Sequence, residues 1–237
     1  MTVTMVSGGT VFIVDSDAET RKRTSGVVRS MKLRYESYAL AQDFLDKYDP
    51  QRSGCAIFEV RLPDISGLQL QEQLAQQTPA VLVIFLASHA SVPVVVRAIQ
   101  QGAVNFLQKP ADEQELWDTI QRALQIDRER RAAVAEIENL RGQLALLTEK
   151  ELDVLMLMAR EKGTRSIARE LDVSVRTVEF RRCRMLQKLQ LTTPVQLLHF
   201  AIRATQQYQP DSDAQGNGQG SGKSLLSRNL RRAMASS

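Results

Sequence analysis

Three short runs, VFIVD (11–15), CAIFEV (55–60) and VLVIFLA (81–87), are apolar almost from end to end. A strand with one face in water alternates apolar and polar residues. A run without that alternation needs cover on both faces, as strands of a parallel sheet have. RYESYAL (34–40) and VNFLQKP (104–110) are shorter and more mixed and read as a second and a fifth strand. Between these runs, helical periodicity fits 18–31, 41–48, 66–77 and 93–102. Five successive strand–helix units predict an α/β domain over residues 10–126, built on an open, doubly wound, five-stranded parallel sheet. The extension before it, 1–9, has neither the basic nor the apolar block of a signal peptide.

Beyond Pro110 the pattern is that of one long helix. Asp112 is placed to cap it, and Leu116, Ile120, Leu124, Val134, Ile137, Leu140 and Leu144 form an apolar seam at helical spacing. Residues 127–146 hold four basic and four acidic side chains, so this helical linker reads as solvated, able either to connect domains or to pair with a copy of itself. From 147 to 206 the periodicity predicts an all-α domain of four short helices. Thr148 and Glu151 form a capping box before Leu152, Leu155, Met156 and Ala159, and Ser174 and TTP (192–194) start later helices in the same way. Residues 207–237 predict a disordered Gly/Ser-rich tail with a short basic end.

The net charge of +4 is unevenly spread. Residues 1–126 hold 12 Lys/Arg against 14 Asp/Glu, whereas 147–206 hold 11 against 7. A surplus confined to one module is what contact with a polyanion needs, although a solvated basic face gives the same count. Two distant cysteines, Cys55 and Cys183, imply no disulfide framework, and no apolar run approaches a membrane span. A cytoplasmic, non-membrane protein is expected.

In a doubly wound sheet, ligands gather at the carboxyl ends of the strands. Asp15 and Ser16 follow the first strand, Glu59 the third, Ala87 and Ser88 end the fourth, and Lys109 follows the fifth. Two carboxylates and a lysine at one edge fit a divalent-ion and phosphoryl site. They fit equally a salt bridge from Lys109 to Asp15 or Glu59 that closes the sheet edge.

In order and spacing, VFIVDSD, VRLPDISG, VIFLASHA and GAVNFLQKP resemble the motifs of a two-component receiver domain, of the kind that precedes a helix-turn-helix in the NarL/FixJ group. The resemblance implies a flavodoxin-like fold and a Mg²⁺-dependent aspartate phosphorylated by a histidine kinase. It also implies an acidic pair holding the metal, a Ser/Thr hydroxyl on the phosphoryl group, and a lysine before a cis proline. This chain departs from the pattern where the chemistry happens. Asp15 is kept, but the second acidic position is Ser16, the acceptor position is Glu59 and the hydroxyl position is Ala87; Lys109 and Pro110 are kept. The extra methylene of Glu59 displaces its carboxylate by roughly 1.5 Å, enough to spoil in-line attack. With Ser16 in place of a carboxylate, Mg²⁺ held by Asp15 and Glu59 is weak or absent, and no other cofactor is expected.

These departures predict a degenerate receiver that has lost aspartyl phosphorylation. Glu59 then either mimics a phosphoryl charge or serves as a structural ion-pair partner, the second being favoured because Ala87 offers no hydroxyl readout. The alternatives are a conventional phosphorylated regulator, with Glu59 served by an unusual geometry or Asp64 as stand-in acceptor, and a partner-binding adaptor.

The segment LTEKELDVLMLMAREKGTRSIARELDVSVRTVEFRRCRMLQKL resembles the LuxR-type helix-turn-helix over 147–206. Ile167, Ala168, Leu171, Val175, Val178, Met185 and Leu189 supply an apolar seam, and Arg176, Arg181, Arg182, Arg184 and Lys188 the opposite face. The resemblance implies that Glu179, Phe180, Arg182 and Cys183 reach base edges, while Thr177, Arg181, Arg184 and Lys188 touch phosphates. The expected whole is a transcription regulator and not an enzyme: a homodimer on double-stranded DNA, regulated by dimerisation or by a protein partner such as RNA polymerase.

Overall fold

The computed structural model of the chain describes residues 9–77 and 79–207. The expected N-terminal extension and Gly/Ser-rich tail lie, except for Gly9 and Gln207, outside the described residues. The chain divides into two compact units between Ala133 and Val134.

The first unit is a five-stranded parallel sheet in the order β2-β1-β3-β4-β5. The strands are β1 (Thr10–Val14), β2 (Arg34–Tyr38), β3 (Gly54–Phe58), β4 (Leu82–Ala87) and β5 (Asn105–Gln108), alternating with α1 (Ala18–Ser30), α2 (Ala41–Leu45), α3 (Gly67–Ala75) and α4 (Val92–Gln100). Both faces of the sheet are covered, as the unalternating runs require. Phe12, Phe58 and Phe85 pack with Phe44, Leu70 and Leu74 on one side. Val11, Ile13, Ile57 and Ile84 pack with Val28, Leu116, Ile120 and Leu124 on the other. Each such side chain taken out of water contributes about 1.5–3 kcal/mol before the entropy of ordering is counted. β1 and β3 approach so closely at Gly54 that a Cβ there would lie 2.0 Å from the Thr10 carbonyl oxygen.

The expected long helix is α5 (Glu113–Ala145), its start capped by Asp112, whose carboxylate accepts from the Gln114 and Glu115 amides. The apolar seam is not a free pairing surface. Leu116, Ile120 and Leu124 are buried in the first unit and Leu140 and Leu144 in the second, leaving only Val134 and Ile137 half-buried between them. Nor is the linker freely solvated at its start. Asp127, 2% exposed, accepts from Ser53 Oγ and the Gly54 amide, and Arg131 binds Asp127 and the carbonyls of Pro50, Gln51 and Arg52.

The second unit adds α6 (Glu149–Ala159), α7 (Thr164–Leu171), α8 (Val175–Lys188) and α9 (Pro194–Gln207). Thr148 and Glu151 make the reciprocal capping box, Ser174 Oγ accepts from the Thr177 amide, and Thr193 Oγ1 accepts from the Gln196 amide. Leu155, Ile167, Val178, Met185, Leu189 and Phe200 form the core. Val175, assigned to the apolar seam from its spacing, is instead 40% exposed in the first turn of α8.

Candidate functional sites: an ion triad and a basic helix

The parallel register pairs Val14 with Phe58, so the next residues, Asp15 and Glu59, leave the sheet side by side. Ala87 pairs with Gln108, and the Lys109 amide continues the ladder to the Ala87 carbonyl at 2.8 Å, which brings the lysine to the same edge. Its Nζ lies 2.5 Å from Asp15 Oδ2 and 2.5 Å from Glu59 Oε2. The side chains are 13%, 4% and 11% exposed, so the ions are largely out of water. The remaining oxygens are also engaged. Asp15 Oδ1 accepts from the Asp17 amide, and Glu59 Oε1 from the amides of Val60 and Arg61. Both carboxylates thus fold back onto the backbone that follows them while their other oxygen holds Lys109. Of the two arrangements open from the sequence, the side chains form the salt bridge, and to both carboxylates at once.

Burial pushes the Asp15 pKa above its ordinary value, an effect that Lys109 and the Asp17 amide only partly offset. Burial alone would lower the Lys109 pKa, but the two carboxylates outweigh it and raise it above the usual lysine value.

The donor set around the triad does not fit a hard divalent ion. Asp17 is the N-cap of α1, accepting from Glu19 and Thr20. The carbonyls of Asp15 and Ser16 are held by the Arg21 guanidinium at 2.7 and 2.9 Å, and Ser16 itself is exposed. Thus Lys109 stands between the two carboxylates that Mg²⁺ would use. Among the described residues there is no group of three or more His, Cys, Asp or Glu side chains able to hold a metal. Ala87 is buried and brings only a methyl group to the hydroxyl position. Ser88 is exposed and lines, with Lys109, Thr20, Arg23 and Thr24, a cavity of about 280 Å³ beside the triad. The Lys109–Pro110 peptide bond is cis. Asp64, the alternative acceptor, has its two oxygens on the Ala41 and Gln42 amides and so caps α2, which has no side-chain cap of its own. Burial raises its pKa, but bonds from backbone amides outweigh this and hold it below the ordinary value.

In the second unit, Arg176, Glu179, Phe180, Cys183 and Arg184 are exposed on α8, and Thr177 and Arg181 are half-buried beside them. Two predicted DNA contacts are turned elsewhere. Lys188 Nζ lies 2.6 Å from the carboxylate of Glu151, which is only 3% exposed, so it completes the α6 cap instead of joining the free cationic face. Burial raises the Glu151 pKa, but Lys188 and Thr148 outweigh that and keep it low. Arg182 donates to Thr164 Oγ1 at 2.8 Å, tying α8 to the start of α7. Arg181 reaches the Lys150 carbonyl at 3.4 Å. Sequence reasoning missed Arg21, which no motif marks, and the Asp127–Arg131 pair, whose i,i+4 spacing was a usable signal.

The model of the response regulator receiver domain matches residues 11–121, and that of the luxR family of bacterial regulatory proteins matches 145–201. The chain is 33% identical over 199 residues to the transcriptional regulatory protein TdiR of Thauera aromatica, covering 84% of this chain and 88% of that one. The solved structure of response regulator StyR matches with a TM-score of 0.76 at 34% identity, covering 83% of this chain and 100% of that one. Full-length FixJ from B. japonicum matches with a TM-score of 0.51 at 29% identity, covering 84% and 98%. Among the described residues, no helix is long and apolar enough to cross a membrane. With both modules matched in order, the chain belongs to the two-component response regulators that carry a receiver domain followed by a LuxR-family DNA-binding domain.

Proposed function

We propose that this chain is a cytoplasmic DNA-binding transcriptional regulator whose receiver works without aspartyl phosphorylation, its output set by homodimerisation or by a protein partner such as RNA polymerase. The observation that carries this reading is the triad: Lys109 bridges Asp15 and Glu59, and all four carboxylate oxygens have a donor. For Glu59 to attack a phosphodonor, an oxygen must leave either an ammonium or two backbone amides. Lys109 sits between the two carboxylates that would hold a metal, and Ala87 leaves no hydroxyl to report a bound phosphoryl group. Glu59 is therefore a structural ion-pair partner that keeps the carboxyl edge of the sheet in one state, and no step of the proposed function runs through a metal.

The test is to incubate the full chain with Mg²⁺ and a small acyl phosphate and weigh it intact. The expected result is no added phosphate. Stoichiometric phosphorylation, at Glu59 or at Asp64, would sink the proposal.

A further inference from the structure

α8 presents one exposed stripe at helical spacing: Arg176, Glu179, Phe180, Cys183, Arg184 and Gln187. Phe180 is its anomaly. It is 60% exposed, whereas the other aromatic residue described in this unit, Phe200, is 4% exposed. The ring is nonetheless held, because the Arg184 guanidinium one turn on lies 5.7 Å from its centroid, within cation–π range. Since Arg182 and Lys188 are engaged within the domain, the stripe offers a groove an apolar ring flanked by Arg176 and Arg184.

The major groove displays hydrogen-bond donors and acceptors with one apolar exception, the C5-methyl group of thymine. A phenyl ring set against a donor or acceptor desolvates it without replacing the bond to water, which is costly. Set against a methyl group, it removes two apolar surfaces from water together. We infer that Phe180 is a specificity residue that reads thymine through its 5-methyl group, with Arg184 as the positioning residue for the ring. The inference rests on α8 being the helix that reads DNA.

The experiment selects duplexes bound by the full chain from a random pool, then replaces each thymine of the enriched site by deoxyuridine, which removes only the methyl group. At one position per half-site, the wild type is expected to lose about fourfold in affinity, the worth of one methyl group taken from water. Phe180→Ala, at an exposed position where folding is not at stake, is expected to bind the thymine and deoxyuridine duplexes equally. Phe180→Leu is expected to retain the difference. Enriched sites at which no deoxyuridine weakens the wild type, or a Phe180→Ala variant that keeps the full methyl effect, overturn the inference alone. Enrichment of no sequence at all overturns both the inference and the DNA-reading role beneath it.

Discussion

Replacing Lys109 by methionine removes the cation that bridges two carboxylates whose side chains are 4% and 11% exposed. Methionine keeps most of the volume, so the perturbation is chiefly one of charge. Removing one partner of a buried ion pair costs about 3–5 kcal/mol, because it leaves an uncompensated charge in a poorly solvated place. Here it leaves two charges of the same sign at one strand edge, and proton uptake by one of them is the cheapest relief. Asp15 is the group to take that proton, since burial already holds its pKa above the ordinary value of 3.8 and the lowering effect of Lys109 is lost. A carboxylate whose folded pKa exceeds its unfolded one stabilises the fold below the unfolded value, and that stabilisation is lost as pH rises through the folded value. The penalty of Lys109→Met is therefore largest at pH 8 and smaller at pH 5. In the wild type, Lys109, with its pKa raised, stabilises the fold below its ordinary 10.5 and loses this only in strong alkali.

The chain has a single tryptophan, Trp117, partly buried against the receiver core on α5, so its fluorescence in urea follows the first unit. With a urea slope of about 1–3 kcal/mol/M, a loss of about 3–5 kcal/mol moves the midpoint by roughly 2 M at pH 8. Less than half of that shift is expected at pH 5. Adding Glu59→Gln to Lys109→Met is expected to recover much of the loss at pH 8, as a coupled pair should. Equal shifts at the two pH values, or a loss under about 1 kcal/mol at pH 8, the worth of an exposed pair, would refute the reasoning by showing the carboxylates to be hydrated.

Four further perturbations follow from contacts already described. Arg131→Ala takes the cation from buried Asp127 but leaves it Ser53 and Gly54 as donors; a loss of about 2–3 kcal/mol is expected by Trp117 fluorescence, with faster amide exchange at residues 51–54. Gly54→Ala places a Cβ 2.0 Å from the Thr10 carbonyl oxygen; the β1–β3 pair must separate, and a loss of at least about 3 kcal/mol, read as the urea midpoint, is expected. Lys188→Ala strips the partner of Glu151, 3% exposed, so the second unit is expected to lose about 3 kcal/mol in thermal melts followed by circular dichroism. Its DNA affinity should keep its salt slope, whereas Arg184→Ala should reduce that slope by about one.

The sheet was legible because parallel strands buried on both faces leave a signature in a single chain: VFIVD, CAIFEV and VLVIFLA cannot sit at a water interface without exposing half their residues. The helix starts were legible for a similarly local reason. Asp112, Thr148 and Ser174 satisfy amides two or three residues away, and that distance is written in the sequence. What covers the seam of α5 was left open because a periodic stripe shows that a helix buries one face without naming its cover. Leu116 and Leu144 lie on one helix and in two different cores. Asp64 capping α2 across 22 residues is the same problem in reverse, a cap that no local motif can announce.

The candidate sites divide along the same line. Which residues meet at the carboxyl edge follows from strand ends alone, so Asp15, Glu59, Ala87 and Lys109 were found. How they pair does not, because a lysine has reach enough for either carboxylate, and only the register that sets Val14 beside Phe58 lets it bridge both. On α8 the basic residues were read as one cationic face because charged side chains are rarely buried unless paired. Lys188 is the paired case: the Glu151 oxygen that accepts from Thr148 in the capping box of α6 also accepts from Lys188. A charge count over 147–206 therefore overstates the cations free for DNA. The face that remains free is narrower and includes an aromatic ring, which is why its specificity should turn on a methyl group as well as on charge.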